Sequence, residues 1–160
     1  MTTGRFQGMI GVLIWCPAIE KYLILKRSAE KDYGSNTWEC GSGRVDQGES
    51  FSEALARETF EELGVTLQVD FILGTAHFYR GAAVPENEMI GVFYRCTLDD
   101  PDSIRLSWEH SEHRWVTAKE AQTFLPEDYW LMKLIRLAEE VRLLMPDSLL
   151  QFHRTYGFDL

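Results

Sequence analysis

Apolar positions along the chain fall into short runs in some stretches and into helical stripes in others. Met9–Trp15 (MIGVLIW) and Tyr22–Leu25 (YLIL) are short runs separated by Cys16-Pro-Ala-Ile-Glu-Lys. Such a pair predicts a β-hairpin, although periodicity by itself does not separate these runs from buried helix. Ser28–Thr37 is polar, holds Gly34, Ser35 and Asn36, and predicts a loop. Trp38–Gly48 contains Gly41, Gly43 and Gly48 and predicts a short strand around Arg44-Val45. A helix is predicted over Ser50–Leu63: Ser50 and Glu53 have capping-box spacing, and Gly64 stands where a C-terminal cap belongs. Leu67–Tyr79 and Met89–Leu98 predict strands joined by a loop with Gly81 and Pro85. Asp99–Ser111 is polar and turn-rich, and His113–Val116 predicts one more strand. Thr117 and Glu120 repeat the capping-box spacing before a short helix, and Trp130–Leu144 has helical spacing that stops before Pro146. Asp147–Leu160 leaves its secondary structure open, while Leu149, Leu150, Phe152, Tyr156 and Phe158 predict that it docks. With no repeat, linker or low-complexity tract, residues 1–160 read as one mixed α/β domain.

Composition narrows the class. A chain of 160 residues and 18.5 kDa, 45% hydrophobic and 26% charged, is large enough to bury a core without staples. No apolar run approaches the roughly 20 residues that span a bilayer, so no membrane association is expected. Met1-Thr-Thr-Gly-Arg-Phe-Gln-Gly lacks the layout of a secretory signal. Cys16, Cys40 and Cys96 form neither a disulfide framework nor a C-x-x-C pair, so a reducing cytoplasm is the expected setting. The net charge of −9 opposes binding to nucleic-acid duplex. It is compatible with a small phosphorylated substrate bridged by a divalent cation.

The 50–63 helix concentrates the candidate chemistry. With Glu58 set at zero and about 100° per residue, Phe51, Ala54 and Leu55 fall within roughly 60° of it, and Glu61 and Glu62 share that side. Charge runs are ordinarily solvated faces, but here the acidic and apolar faces largely coincide. Neighbouring like charges repel, more strongly when partly desolvated. A carboxylate cluster at the edge of a core suits a hard divalent cation, Mg²⁺ or Mn²⁺, which takes oxygen ligands and bridges to phosphates. Arg57 either orients this cluster or pairs with Glu53 at i, i+4.

These residues match the Nudix box, G-x5-E-x7-R-E-U-x-E-E-x-G-U with U a bulky aliphatic residue. The chain has Gly43, Glu49 and then Arg57-Glu58-Thr59-Phe60-Glu61-Glu62-Leu63-Gly64-Val65, with every fixed position present. It therefore resembles the Nudix (MutT-like) hydrolase family. It departs at Thr59, where the family prefers an aliphatic residue, and at Cys40-Gly41-Ser42-Gly43, where many relatives have proline and paired glycines. Leu25-Lys26-Arg27 is similar to the family's basic hairpin end, and Glu109–Trp115 to its acidic segment before a late tryptophan. The similarity spans about residues 8 to 145.

The resemblance implies an α+β fold, an α/β/α sandwich around a mixed sheet. It implies that Glu58, Glu61 and Glu62 bind Mg²⁺ or Mn²⁺ or position the attacking water, with the Ser42 carbonyl as a further ligand. Another glutamate is expected from Glu109 or Glu112, and Glu49 is expected to steady Arg57 or the loop. Catalytic roles thus fall to Glu58, Glu61, Arg57 and Glu109. Lys26 and Arg27 are candidates for outer phosphates, against plain surface cations. Trp38, Phe78, Tyr79 and Trp108 are candidates for stacking on a base, against core packing. His77, His110, His113 and His153 lack metal-ligand spacing and are expected on the surface or in the core.

The implied reaction is hydrolysis of a P–O–P bond in a nucleoside diphosphate linked to another moiety, or in a nucleoside triphosphate. Divalent ions would neutralise the phosphate charge and activate water. One alternative is a nucleotide-sensing module that does not cleave; another is an isoprenoid-diphosphate isomerase, for which Cys40 is the only cue. Selectivity is expected in Ser28–Thr37, Arg80–Glu88 and Asp99–Ser111, and the apolar tail suggests a homodimer.

Overall fold

A computed structural model describes residues 5–159 of the chain. Part of the opening segment read for a secretory layout, and the last residue of the tail, lie outside the described residues. The elements run β1 (Gln7–Cys16), β2 (Lys21–Arg27), β3 (Trp38–Glu39), β4 (Gly41–Arg44), α1 (Phe51–Leu63), β5 (Gln68–Tyr79), β6 (Glu88–Thr97), β7 (His110–Val116), α2 (Ala118–Ala121), α3 (Trp130–Leu144) and α4 (Asp147–Tyr156). Short 3₁₀ turns at Pro85–Asn87 and Pro101–Ser103 punctuate the connections. No described helix is long and apolar enough to cross a membrane.

The seven strands form one mixed sheet in the order β3-β2-β1-β6-β5, with β4 also pairing β1 and β7 pairing β2. β1 and β6 run parallel, with Gln7 opposite Met89 through Trp15 opposite Thr97. The other pairs are antiparallel. Side chains alternate across the sheet, so β1 feeds two cores. Ile10, Val12 and Ile14 pack with Ala54, Leu55 and Leu63 of α1. Leu13 and Trp15 pack on the other face with Ala121, Leu131, Met132, Ile135 and Ala138 of α2 and α3. The result is an α/β/α sandwich, as the family resemblance implied.

Differences from the sequence reading lie where long-range pairing sets the ends. The strand expected around Arg44-Val45 ends at Arg44, because Met9–Val12 of β1 pairs with Gly41–Arg44. Trp38-Glu39 forms a separate strand against Leu25 and Lys26. β7 begins at His110 rather than His113, extended by pairing through Arg27 opposite His110 across a bulge. The tail resolves into α4, with Leu150 and Phe158 packed on the cores and Leu149, Phe152 and Tyr156 exposed.

Candidate active site

Local signals fix the orientation of α1. Ser50 Oγ accepts from the Glu53 amide, the Glu53 carboxylate accepts from the Ser50 amide, and Gly64 closes the helix in the left-handed region at φ 69°. Burial of Ala54, Leu55 and Leu63 then turns Glu58 and Glu62 inward. Glu58 lies against β4 so closely that a Cβ at Gly43 would overlap its Cγ and Cδ. Glycine is therefore what lets the helix and strand close around this carboxylate.

Arg57 organises the rim. It donates through Nε and Nη2 to the two carboxylate oxygens of Glu49, at 2.7 and 2.8 Å. It also reaches Glu58 Oε1 at 2.9 Å and the Arg44 carbonyl at 3.0 Å. Glu58 Oε1 accepts from the Arg44 amide at 3.1 Å as well. Glu49 accepts from the Asp46 amide at 2.9 Å, so it steadies both Arg57 and the loop. Glu53 serves the cap, which removes the Arg57–Glu53 pairing considered from spacing. Burial raises the Glu58 pKa, with the Arg57 hydrogen bond opposing.

Deeper in, Glu62 is only 6% exposed. Its pKa is pushed up to about 9, first by burial and then by Glu109, Glu39 and Glu58, with Lys31 opposing. Glu39 of β3 is buried, bonded through both oxygens to Arg27 Nη1 at 2.8 and 3.0 Å. His110 Nε2 lies 2.9 Å from Glu39 Oε1. Glu109 is ion-paired with Lys31, whose ammonium sits 5.2 Å from the centre of the exposed Trp108 ring.

No three His, Cys, Asp or Glu side chains among the described residues already converge as a metal-holding group. Arg57 is paired with Glu49 and Glu58, Lys31 with Glu109, and Arg27 with Glu39. The donor set nevertheless fits a hard divalent cation. The carboxylates of Glu39, Glu49, Glu58, Glu61, Glu62 and Glu109 outnumber those three cations, all present oxygen, and Glu62 is held where its charge is most penalised.

The other predicted residues divide clearly. Glu61 stands at the exposed edge of α1, 3.5 Å from Arg57 Nη1. Ser42 lies on β4 opposite Gly11, its Oγ 3.5 Å from Glu39. Of the two late glutamates, Glu109 faces Glu62 electrostatically, whereas Glu112 pairs with Arg114 at 2.7 Å and Lys26 at 4.0 Å. Arg27 is committed to Glu39. Trp38 packs with the α2–α3 core, edge-on to Phe124 and under Arg114, so it is not brought to the carboxylates. Cys40 is fully buried and burial pushes its thiol well up, leaving the isomerase alternative without a reactive cysteine.

Sequence reasoning missed Lys31 and Glu39, while His110, expected on the surface or in the core, is buried against Glu39. Lys31 lay in a loop read only for selectivity, and Glu39 carried no spacing signal. It also missed a cleft of about 260 Å³ whose lining includes Tyr33, Arg44, Arg80 and Asn87. Arg80 sits 5.7 Å from the centre of the Tyr33 ring. This cleft joins two of the three loops singled out for selectivity.

Comparison with known proteins agrees with this architecture. The model of a family described as NUDIX domain matches residues 7–138. An asymmetrical bis(5'-nucleosyl)-tetraphosphatase of Caenorhabditis elegans is 30% identical over 104 residues, covering 63% of this chain and 70% of that protein. Nucleoside triphosphatase NudI of Enterobacter sp. (strain 638) is 27% identical over 120 residues, covering 69% and 84%. Among solved structures, a MutT protein from Methanosarcina mazei Go1 superposes with a TM-score of 0.69 at 25% identity, covering 88% of this chain and 98% of that one.

Proposed function

The chain belongs to the NUDIX domain family, and from that premise we propose that it is a divalent-metal-dependent hydrolase of phosphoanhydride bonds in nucleotides. The observation that carries the reading is Glu62: a carboxylate buried beside Glu39, Glu58 and Glu109, short of positive charge. Glu58, Glu62 and Glu109 would hold Mg²⁺ or Mn²⁺, with Glu61 and the Ser42 carbonyl at the edge. When bound, such an ion supplies charge neutralisation of the phosphates and activation of water.

The chain's own residues do the rest. Arg57, clamped by Glu49, fixes Glu58 Oε1 toward the cluster. Glu109, on a loop tied down by the Ser28 amide to its carbonyl at 2.8 Å, can accept the proton that water loses as the new P–O bond forms and the bridging P–O bond breaks. Lys31 offers a charge partner for the released phosphate. The cleft at Tyr33, Arg44 and Arg80 is the place for a base and its outer phosphates, with Tyr33 as the stacking face. The tetraphosphatase and triphosphatase relatives favour nucleoside triphosphates or dinucleoside polyphosphates as substrate.

The test is a release assay across nucleoside triphosphates, dinucleoside polyphosphates, nucleotide sugars and ADP-ribose with Mg²⁺. Cleavage of at least one class, abolished by EDTA and restored by excess Mg²⁺, is expected. Binding without cleavage across all classes would return the chain to a sensing role, and activity surviving exhaustive chelation would remove the metal.

A further inference from the structure

The C-terminal ends of β1 and β6 carry a second group of charged and aromatic side chains, on the sheet face away from α1. Alternation along β6 sends Tyr94 and Cys96 to the α1 core, while Arg95 points with Phe93 toward α3 and α4. Arg95 is 3% exposed. Its Nη1 pairs with the fully buried Asp70 at 2.9 Å, but its buried Nε has no hydrogen-bond partner. Its guanidinium lies 5.3 Å from the Phe71 ring centre and 5.8 Å from that of Trp15. Arg142 of α3 covers Trp15 at 4.7 Å. Arg154 of α4 donates to Asp70 at 2.7 Å and to Thr97 at 3.2 Å. Arg95, Arg142 and Arg154 line one cavity of about 320 Å³, which Leu150 and Met145 also line.

The direct ion pairs do not balance. Asp70 is shared between Arg95 and Arg154, and Glu139 takes Arg142 at 2.7 Å, so at the inner end three guanidinium groups share two carboxylates, while Asp99 and Asp147 stand at the exposed rim. Burial pulls the Arg95 pKa down; Asp70 opposes this, and Arg154 and Arg142 add to the depression. A buried N–H without an acceptor is rare in folded proteins and calls for a partner. An oxyanion fits, because guanidinium groups converge on phosphate geometry. The exposed carboxylates of Asp99 and Asp147 on the same lining repel charge that extends outward, which favours a single phosphoryl group over a polyphosphate.

We propose that this cavity is a second ligand site that binds a small phosphomonoester. The phosphoryl group sits on Arg95, Arg142 and Arg154, and the apolar body lies against Phe71, Met145 and Leu150. The site is independent of the Glu58–Glu62 carboxylates, which stand on the opposite face of the sheet. Because Arg154 anchors α4 through Asp70, occupancy also ties α4 down.

The test uses the intact chain with EDTA present, so that binding at the carboxylates is suppressed, and phenyl phosphate and inorganic phosphate as probes. The Arg95 Nε–Hε NMR signal is expected to move saturably with both, with phenyl phosphate the tighter ligand and α4 amides exchanging more slowly. Arg142→Gln, at a half-buried position that leaves the Asp70 pairs intact, should weaken binding about tenfold through loss of one charge-assisted contact. Arg80→Gln, in the other cleft, should leave the affinity unchanged. An Arg95 signal that stays put at saturating probe, or an affinity indifferent to Arg142→Gln, would overturn the proposal. Equal affinity for the two probes would assign the cavity to the free ion and overturn the phosphomonoester.

Discussion

Glu49 and Arg57, eight residues apart, meet in a two-bond fork, Nε to Oε1 at 2.7 Å and Nη2 to Oε2 at 2.8 Å. The Arg57 hydrogen bond, helped by the Asp46 amide, holds the Glu49 carboxyl down at about 2. Its folded pKa lies below the unfolded one, so its contribution to stability is complete above about pH 4.5 and is lost as pH falls toward 2. Glu49→Gln should therefore lower the Tm at neutral pH, with the gap from the native chain closing as pH drops from about 5 to about 2. Added salt should narrow the gap, since the pair is partly exposed. A gap of constant size across that window would disprove the assignment.

Glu62→Gln keeps the shape of the side chain and removes its charge. Turnover is expected to fall at least about 100-fold. The metal-free Tm at neutral pH should hold or rise, because folding no longer has to protonate a carboxyl group whose pKa burial has raised. Turnover within a few-fold of native would sink the role given to Glu62; a fallen metal-free Tm would mean that the loss is structural.

A Cβ placed on Gly43 of β4 would overlap the Glu58 side chain. Gly43→Ala forces the Glu58 side chain aside without touching the cores, so kcat should drop about tenfold or more with an unchanged circular dichroism spectrum. Native kcat in a folded variant would show that the position of Glu58 is not critical.

Lys31 occupies the carboxylate cluster through Glu109. Replacing it by methionine removes a competing cation, so Mn²⁺ should bind up to about fivefold more tightly, in keeping with the small worth of partly exposed ion pairs. Calorimetry on the two chains decides this, and weaker Mn²⁺ binding in Lys31→Met would exclude competition.

Much of the fold was legible in the sequence because its signals are local. The capping boxes at Ser50 and Thr117 and the stripe of Trp130–Leu144 act over one or two helical turns, and the structure places all three as expected. The strands near β4 and β7 shifted because their ends depend on partners distant in the chain. The tail was ambiguous for the same reason: Arg154 finds Asp70 across 84 residues.

The acidic segment from Gly43 to Val65 shows where the division falls. By itself the sequence determined that α1 forms, where it begins and ends, and that its carboxylates share a side with its apolar anchors, since helical period and caps need no distant residue. Only the tertiary structure decided which carboxylates are desolvated. Glu62 turns into the sheet, Glu61 stays in water, and Glu109 rather than Glu112 faces the cluster. It also brought Glu39, Lys31 and His110 beside the candidate carboxylates, and three arginines from β6, α3 and α4 around one cavity. Those meetings depend on chain crossings and on the two-residue alternation of strands, which set the side a residue faces only once pairing has fixed the register.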